Sequence, residues 1–279
     1  MFRTSNPTMK PELFSPAQSW DDVSVEQGPS EARVKRAPVS HMTIQGTVNA
    51  SFFLLAICVG TALLGWRGGL PVEAGGLGWN PMLIFLGGGL GGFVVAMITA
   101  FNPRGAMITA PIYAALEGVF VGGISAWYAQ AFAQDNGALN TGLIFNAVLL
   151  TFGIFGGMLM GYTTRAIRPG PTFNKIVIAA TFGIVIYGLI AFVASMFGAP
   201  SLASVYDPSN GGLISIGFSL FVVAIASANL ILDFQLIEEG AANKAPKYMQ
   251  WYGGFALLVT LVWLYLEVLR LLAKLQSRD

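Results

Sequence analysis

The sequence predicts an all-α membrane protein that crosses the bilayer seven times, and three observations predict it. The chain of 279 residues is 54% hydrophobic and only 10% charged, with a mean hydropathy of +0.65. A soluble domain carries about a quarter charged residues. Seven apolar runs follow one another after residue 42, each near the ~20 residues a spanning helix needs. Turn-forming residues separate them.

The first 42 residues are polar and rich in Pro and Ser, with mixed charges. No apolar stretch follows Met1, so they do not read as a signal peptide. They read as a disordered cytoplasmic tail whose Phe2, Phe14 and Trp20 are available for docking, and residues 43–279 read as the transmembrane domain. The expected spans are Thr43–Trp66, Pro81–Phe101, Met107–Phe132, Thr141–Tyr162, Ile176–Phe197, Leu213–Ile237 and Phe255–Leu275. Arg67-Gly-Gly-Leu-Pro71, Asn102-Pro-Arg104-Gly105, Asp135-Asn-Gly137, Arg168-Pro-Gly-Pro171 and Asp207-Pro-Ser-Asn-Gly211 separate them. Connections this short make neighbouring spans antiparallel and leave no room for a soluble domain.

Lys and Arg set the orientation. With the N-terminus inside, the inner segments hold Arg33, Lys35, Arg36, Arg104, Arg165, Arg168, Lys175, Lys244 and Lys247, against Arg67, Arg270, Lys274 and Arg278 outside. Glycines four apart (Gly88 and Gly92, Gly118 and Gly122, then Gly153, Gly157 and Gly161) predict close helix packing.

The net charge of +1 gives no reason to expect nucleic acid. The one cysteine, Cys58, cannot form a disulfide or a thiolate metal site within the chain, and the one histidine, His41, reads as a solvated residue before the first span. No span has the histidines of a metalloprotease or rhomboid-type site, Asp233 lacks a Gly-x-Gly-Asp context, and no phosphate-binding loop occurs. The expectation is therefore a protein that is not an enzyme and carries no cofactor.

The informative residues are acids inside hydrocarbon. An ionised side chain there costs about 2.5–3.5 kcal/mol on insertion scales and needs a partner or a wet path. Asp233 lies five helical turns from Ser215, and Ser219 and Asn229 fall near the same line, so these four form a polar stripe expected to face the bundle interior, where Ser215, Ser219 and Asn229 either line a cavity or hydrogen-bond between helices. Gly253, Thr260, Glu267 and Lys274 recur every seven residues and form a seam on the last span. Glu267 either pairs locally with Arg270 or faces Asp233, and in the second case the pair shares a proton or a cation. Carboxylate oxygens suit Ca²⁺. Level matching opposes the pair unless the sixth helix is longer than expected or a break occurs near Gly253-Gly254. Glu117 either lines the same cavity or is a neutral, hydrogen-bonded residue, and Arg104 either pairs with Asp233 or serves topology alone.

Leu232-Asp233-Phe-Gln-Leu-Ile237, followed by Trp263-Leu-Tyr-Leu-Glu267-Val-Leu-Arg-Leu-Leu272, resembles the C-terminal signature of the transmembrane Bax inhibitor motif family. Ser5-Asn6-Pro7 and Ala110-Pro-Ile-Tyr113 through Glu117-Gly118 resemble a bacterial branch. The resemblance runs from about residue 43 to 275. It implies a seven-helix bundle with the last helix in the middle, set in a bacterial cytoplasmic membrane. It also implies a pH-sensing acid pair that gates a calcium leak, at Asp233 and Glu267, with Arg104 as the closed-state partner. The chain departs from the pattern in having Glu for the second Asp and a longer joint from Glu238 to Trp251. A second role implied by the resemblance is that of a non-transporting regulator that binds or modulates a membrane AAA protease.

Overall fold

The computed structural model describes residues 41–134, 137–167, 169–197 and 204–278. The expected tail, the Ser5-Asn6-Pro7 motif, Asp135 and Arg168 lie outside the described residues. Seven helices are long and apolar enough to cross a membrane. They are α1 (Ile44–Gly69), α2 (Pro81–Phe101), α3 (Ala106–Ala131), α4 (Thr141–Thr163), α5 (Pro171–Met196), α6 (Leu213–Ala242) and α7 (Met249–Gln276). Among the described residues no strand occurs beyond one bridge between His41 and Pro246. Six turns of alternating direction place His41 and Arg278 at opposite ends of the bundle.

Local chemistry sets the helix ends. Thr43 caps α1 by accepting from the Gly46 amide, and Asn140 caps α4 by accepting from the Leu143 amide. Pro81 and Pro171 open α2 and α5, where a missing N–H costs nothing. Residues Ile84–Leu90 of α2 wind as a π-helix over Gly87-Gly-Gly89. There the backbone has no Cβ to oppose the wider turn, and Gly88 lies on the backbone of Phe120.

The last helix is central. α7 is the most buried span and packs against α1, α3, α4 and α6. Its leucines Leu257, Leu258, Leu261, Leu264 and Leu269 are buried in the bundle's two cores. α1 and α3 form the closest pair, and glycine explains it. A Cβ on Gly118 would stand 2.0 Å from Thr61 Oγ1, and one on Gly122 would stand 2.0 Å from the Ala62 carbonyl. On α4 the expectation of tight packing fails, because a Cβ on Gly153 or Gly157 would meet nothing within 4 Å.

Two boundaries differ from expectation. α6 runs five residues beyond Ile237, and α7 starts six residues before Phe255. Glu238-Glu239 and Gln250-Trp251, expected in the joint between the two spans, are helical. His41 is exposed and its Nδ1 donates to the Lys244 carbonyl at 3.1 Å.

Candidate functional site

α6 and α7 lie side by side and antiparallel, and their charged residues meet partners at separate levels. At the first level Asp233 faces Thr260, whose hydroxyl donates to the Ala256 carbonyl at 3.2 Å and lies beside the carboxylate. One oxygen, Oδ2, is buried with no partner. Phe234, the next residue, is held by Phe155 and Tyr162 at ring distances of 5.8 and 5.7 Å, which fixes the register of this turn.

The second level is Glu267. Its Oε1 accepts from Arg270 Nη1 at 2.6 Å, the local pair that the i+3 spacing allows. Its Oε2 is buried without a partner. Arg270 lies over the ring of Tyr206 at 5.1 Å. Tyr206 belongs to the loop before α6, and its phenol is pushed up to about 12, first by burial and then by the charge of Glu267.

The third level is Lys274, which is fully buried. Its Nζ donates to the Val205 carbonyl at 2.5 Å, to Ser219 Oγ at 2.8 Å and to the Ser215 carbonyl at 3.2 Å. The Ser215 hydroxyl also donates to the Val205 carbonyl. Lys274 sits in the last turn of α7, where the helix dipole favours a cation. The loop from Val205 to Pro208 is thereby tied to the central helix, and Ser277 adds a bond to the Pro208 carbonyl.

The spacing between levels decides whether the acids meet. Asp233 is level with Thr260 and Ser219 with Lys274, fourteen residues along each helix, so the register is continuous. Glu267 falls midway, level with the buried Ala226. The two carboxylates are thus offset by seven residues, about 10.5 Å along the axis. The structure does not bring Asp233 and Glu267 together. The longer sixth helix raises Asp233 from the joint, but the early start of α7 raises Glu267 as well.

The other expected residues fall elsewhere. Arg104 is exposed in the turn after α2, and among the described residues no ion pair joins it to Asp233, because α2 packs chiefly on α3. Glu117 packs beside Gly92, where a Cβ would stand 2.8 Å from its Oε2, so that glycine makes room for the carboxylate. Asn229 donates to Thr181 Oγ1 of α5 at 2.8 Å. None of Glu117, Ser215, Ser219, Asn229 and Thr260 lines either of two large grooves between α1 and α4. The polar stripe on α6 is divided among three neighbours: the loop before α6, α7 and α5. No three His, Cys, Asp or Glu side chains gather into a metal-binding set among the described residues.

Sequence reasoning missed Lys274 as a buried group, Tyr206 as its neighbour's cap, and the buried bond between Ser125 Oγ and Tyr265 at 2.6 Å. The seven-residue seam carried a signal for Lys274, since a residue in line with Gly253, Thr260 and Glu267 must face the same interior.

The family model described as Bax inhibitor 1 like matches residues 6–277. The chain belongs to that family. The match covers all seven spans, so the Bax inhibitor 1 like chain carries the seam and the acids within the family's own region. No curated protein and no solved structure gave a significant match.

Proposed function

We propose that this Bax inhibitor 1 like protein is a pH-sensitive, calcium-permeable leak pathway in a bacterial cytoplasmic membrane, with its N-terminus inside. Asp233 and Glu267 are its proton-responsive gate. The observation that carries the reading is the buried, unpartnered Oδ2 of Asp233, which has only a hydroxyl beside it. A carboxylate so placed needs a proton or a passing cation. Glu267 Oε2 is in the same condition about two turns further along the seam. Two oxygens at separate levels fall far short of the six to eight ligands of a resident Ca²⁺ site, so Ca²⁺ is cargo in this reading and not a bound cofactor.

A second reading rests on the Glu267–Arg270 pair, which already neutralises one acid. In that case the protein is a non-transporting regulator, neither channel nor enzyme, whose tail engages a membrane AAA protease or a stress-response partner.

The test is calcium influx into liposomes holding the folded protein, at pH 6 and pH 8, for wild type and Asp233→Asn. Flux that depends on pH in the wild type and not in the variant supports the leak. Flux equal to empty liposomes at both pH values contradicts it and favours the regulator, for which deletion of the tail abolishes partner binding.

A further inference from the structure

The loop before α6 lies against the C-terminal end of α7, the end of the bundle that carries Arg278. Residues 204–212 brace one another. Asp207 Oδ1 accepts from the Ser209 amide at 2.9 Å, Asn210 Nδ2 donates to the Ser204 carbonyl at 3.0 Å, and Asn210 Oδ1 accepts from the Gly212 amide at 3.0 Å. The ties from this small body to α7 are few: Lys274 to the Val205 carbonyl, Ser277 to the Pro208 carbonyl, and Arg270 against the Tyr206 ring. Gly211 meets the same helix end, since a Cβ there would stand 3.2 Å from the Arg278 Cβ.

Beneath this loop the charges come in order along the seam. Glu267 lies nine residues inside the end of α7, about 13.5 Å. Neither groove between α1 and α4 has Glu267 in its lining, so neither reaches it from the side. Arg270 and Lys274 stand between Glu267 and the helix end, and they differ. Arg270 is bonded to the Glu267 carboxylate. Lys274 is fully buried, and its acceptors are two carbonyls and a hydroxyl, so no bonded carboxylate cancels its charge. A cation moving inward along the seam meets that charge first, in surroundings that screen it poorly.

We propose that residues 204–212 form a lid over this end of the seam, and that Lys274 beneath it is the charge barrier that keeps cations from Glu267 until the lid lifts. Lifting the lid takes the Val205 acceptor from Lys274. Its long stem then lets the ammonium swing out to water, which clears the positive charge from the path. Lid and barrier open together. The leak reading supplies the cargo, while the lid stands on the geometry alone.

The test is labelling of Ala226→Cys, buried level with Glu267, in a Cys58→Ala background. A cationic and a neutral thiol reagent of equal size, neither able to cross the membrane, are applied to the face that carries Arg278. The rates are read on the peptide that holds residue 226. Lys274→Met should raise the cationic rate relative to the neutral one about tenfold, and Lys274→Arg should keep the wild-type ratio. Gly211→Cys with Arg278→Cys, once oxidised, locks the lid and should stop labelling by both reagents until it is reduced. Leu54→Cys, buried elsewhere in the bundle, should stay protected throughout, which separates lid opening from general loosening. A ratio of rates that Lys274→Met leaves unchanged overturns the barrier, and labelling that persists with the lid locked overturns the lid. Calcium flux in the same proteins separates the two readings. Labelling that the lock stops, in a protein without flux when reduced, supports the lid and contradicts the leak alone.

Discussion

Asp233 and Lys274 lie on one helix contact, about 21 Å apart along the α6–α7 seam, yet they are held differently. Lys274 has three oxygen acceptors, and its neighbour Arg270 has a carboxylate on one side and a ring on the other. Both cations at that end are matched, and the loop carrying Val205 and Tyr206 is held with them. Asp233 has one hydroxyl beside it and one oxygen with nothing. The contrast teaches that charge is buried in two ways in this bundle. Cations at the C-terminal end of α7 latch a loop onto the central helix, while the acid at the other end is buried with one oxygen unmatched.

The largest effect should come from the latched end. Arg270→Leu leaves Glu267 buried without its counter-charge, and the loss should be about 3–5 kcal/mol. A large fall in thermal unfolding temperature in detergent checks it, and adding Glu267→Gln should restore most of the loss. Lys274→Met should cost about 1–3 kcal/mol, because the Val205 and Ser215 carbonyls lose a buried donor. Its effect should be visible as faster hydrogen exchange in the 204–212 loop.

Tyr206→Leu should cost about 1 kcal/mol through the lost stack on Arg270. Tyr206 also has a pH signature. Its folded value of about 12 stands above the ordinary 10.0, so the unfolded chain gives up that proton first and stability falls as pH rises from 10 towards 12. Tyr206→Phe should remove that part of the alkaline decline and leave behaviour between pH 6 and pH 8 unchanged. The smallest effect should be that of Asp233→Asn, within about 1 kcal/mol of wild type or stabilising, since it removes a charge that only a hydroxyl supports. A loss as large as that of Arg270→Leu would break the contrast between the two ends.

Much of the fold was legible because hydrocarbon permits few alternatives. Seven apolar runs of spanning length, divided by Gly and Pro, left little choice but a helical bundle. The interior seam of α7 was legible too, since Thr260, Glu267 and Lys274 repeat every seven residues and all are buried. The contacts across helices were not legible. Ser215 and Ser219 share a face with Asp233, but sequence holds no record that a lysine 55 residues beyond Ser219 reaches them. The level of Glu267 depended on where the α6–α7 joint begins and ends. Glu238, Glu239 and Gln250 are helical there despite a polarity that reads as loop. The open face of Gly153 and Gly157 was hidden for the same reason, because spacing tells which residues are small and not which neighbour they meet.

The α6–α7 register sets Asp233 opposite Thr260 and not opposite Glu267. Oxidative cross-linking of cysteine pairs in a Cys58→Ala background tests it most directly, since a disulfide needs Cβ atoms about 3.5–4.5 Å apart. Asp233→Cys with Thr260→Cys should cross-link readily, and Asp233→Cys with Glu267→Cys should not. Efficient cross-linking of the second pair and none of the first would contradict it, and would place the two acids in contact.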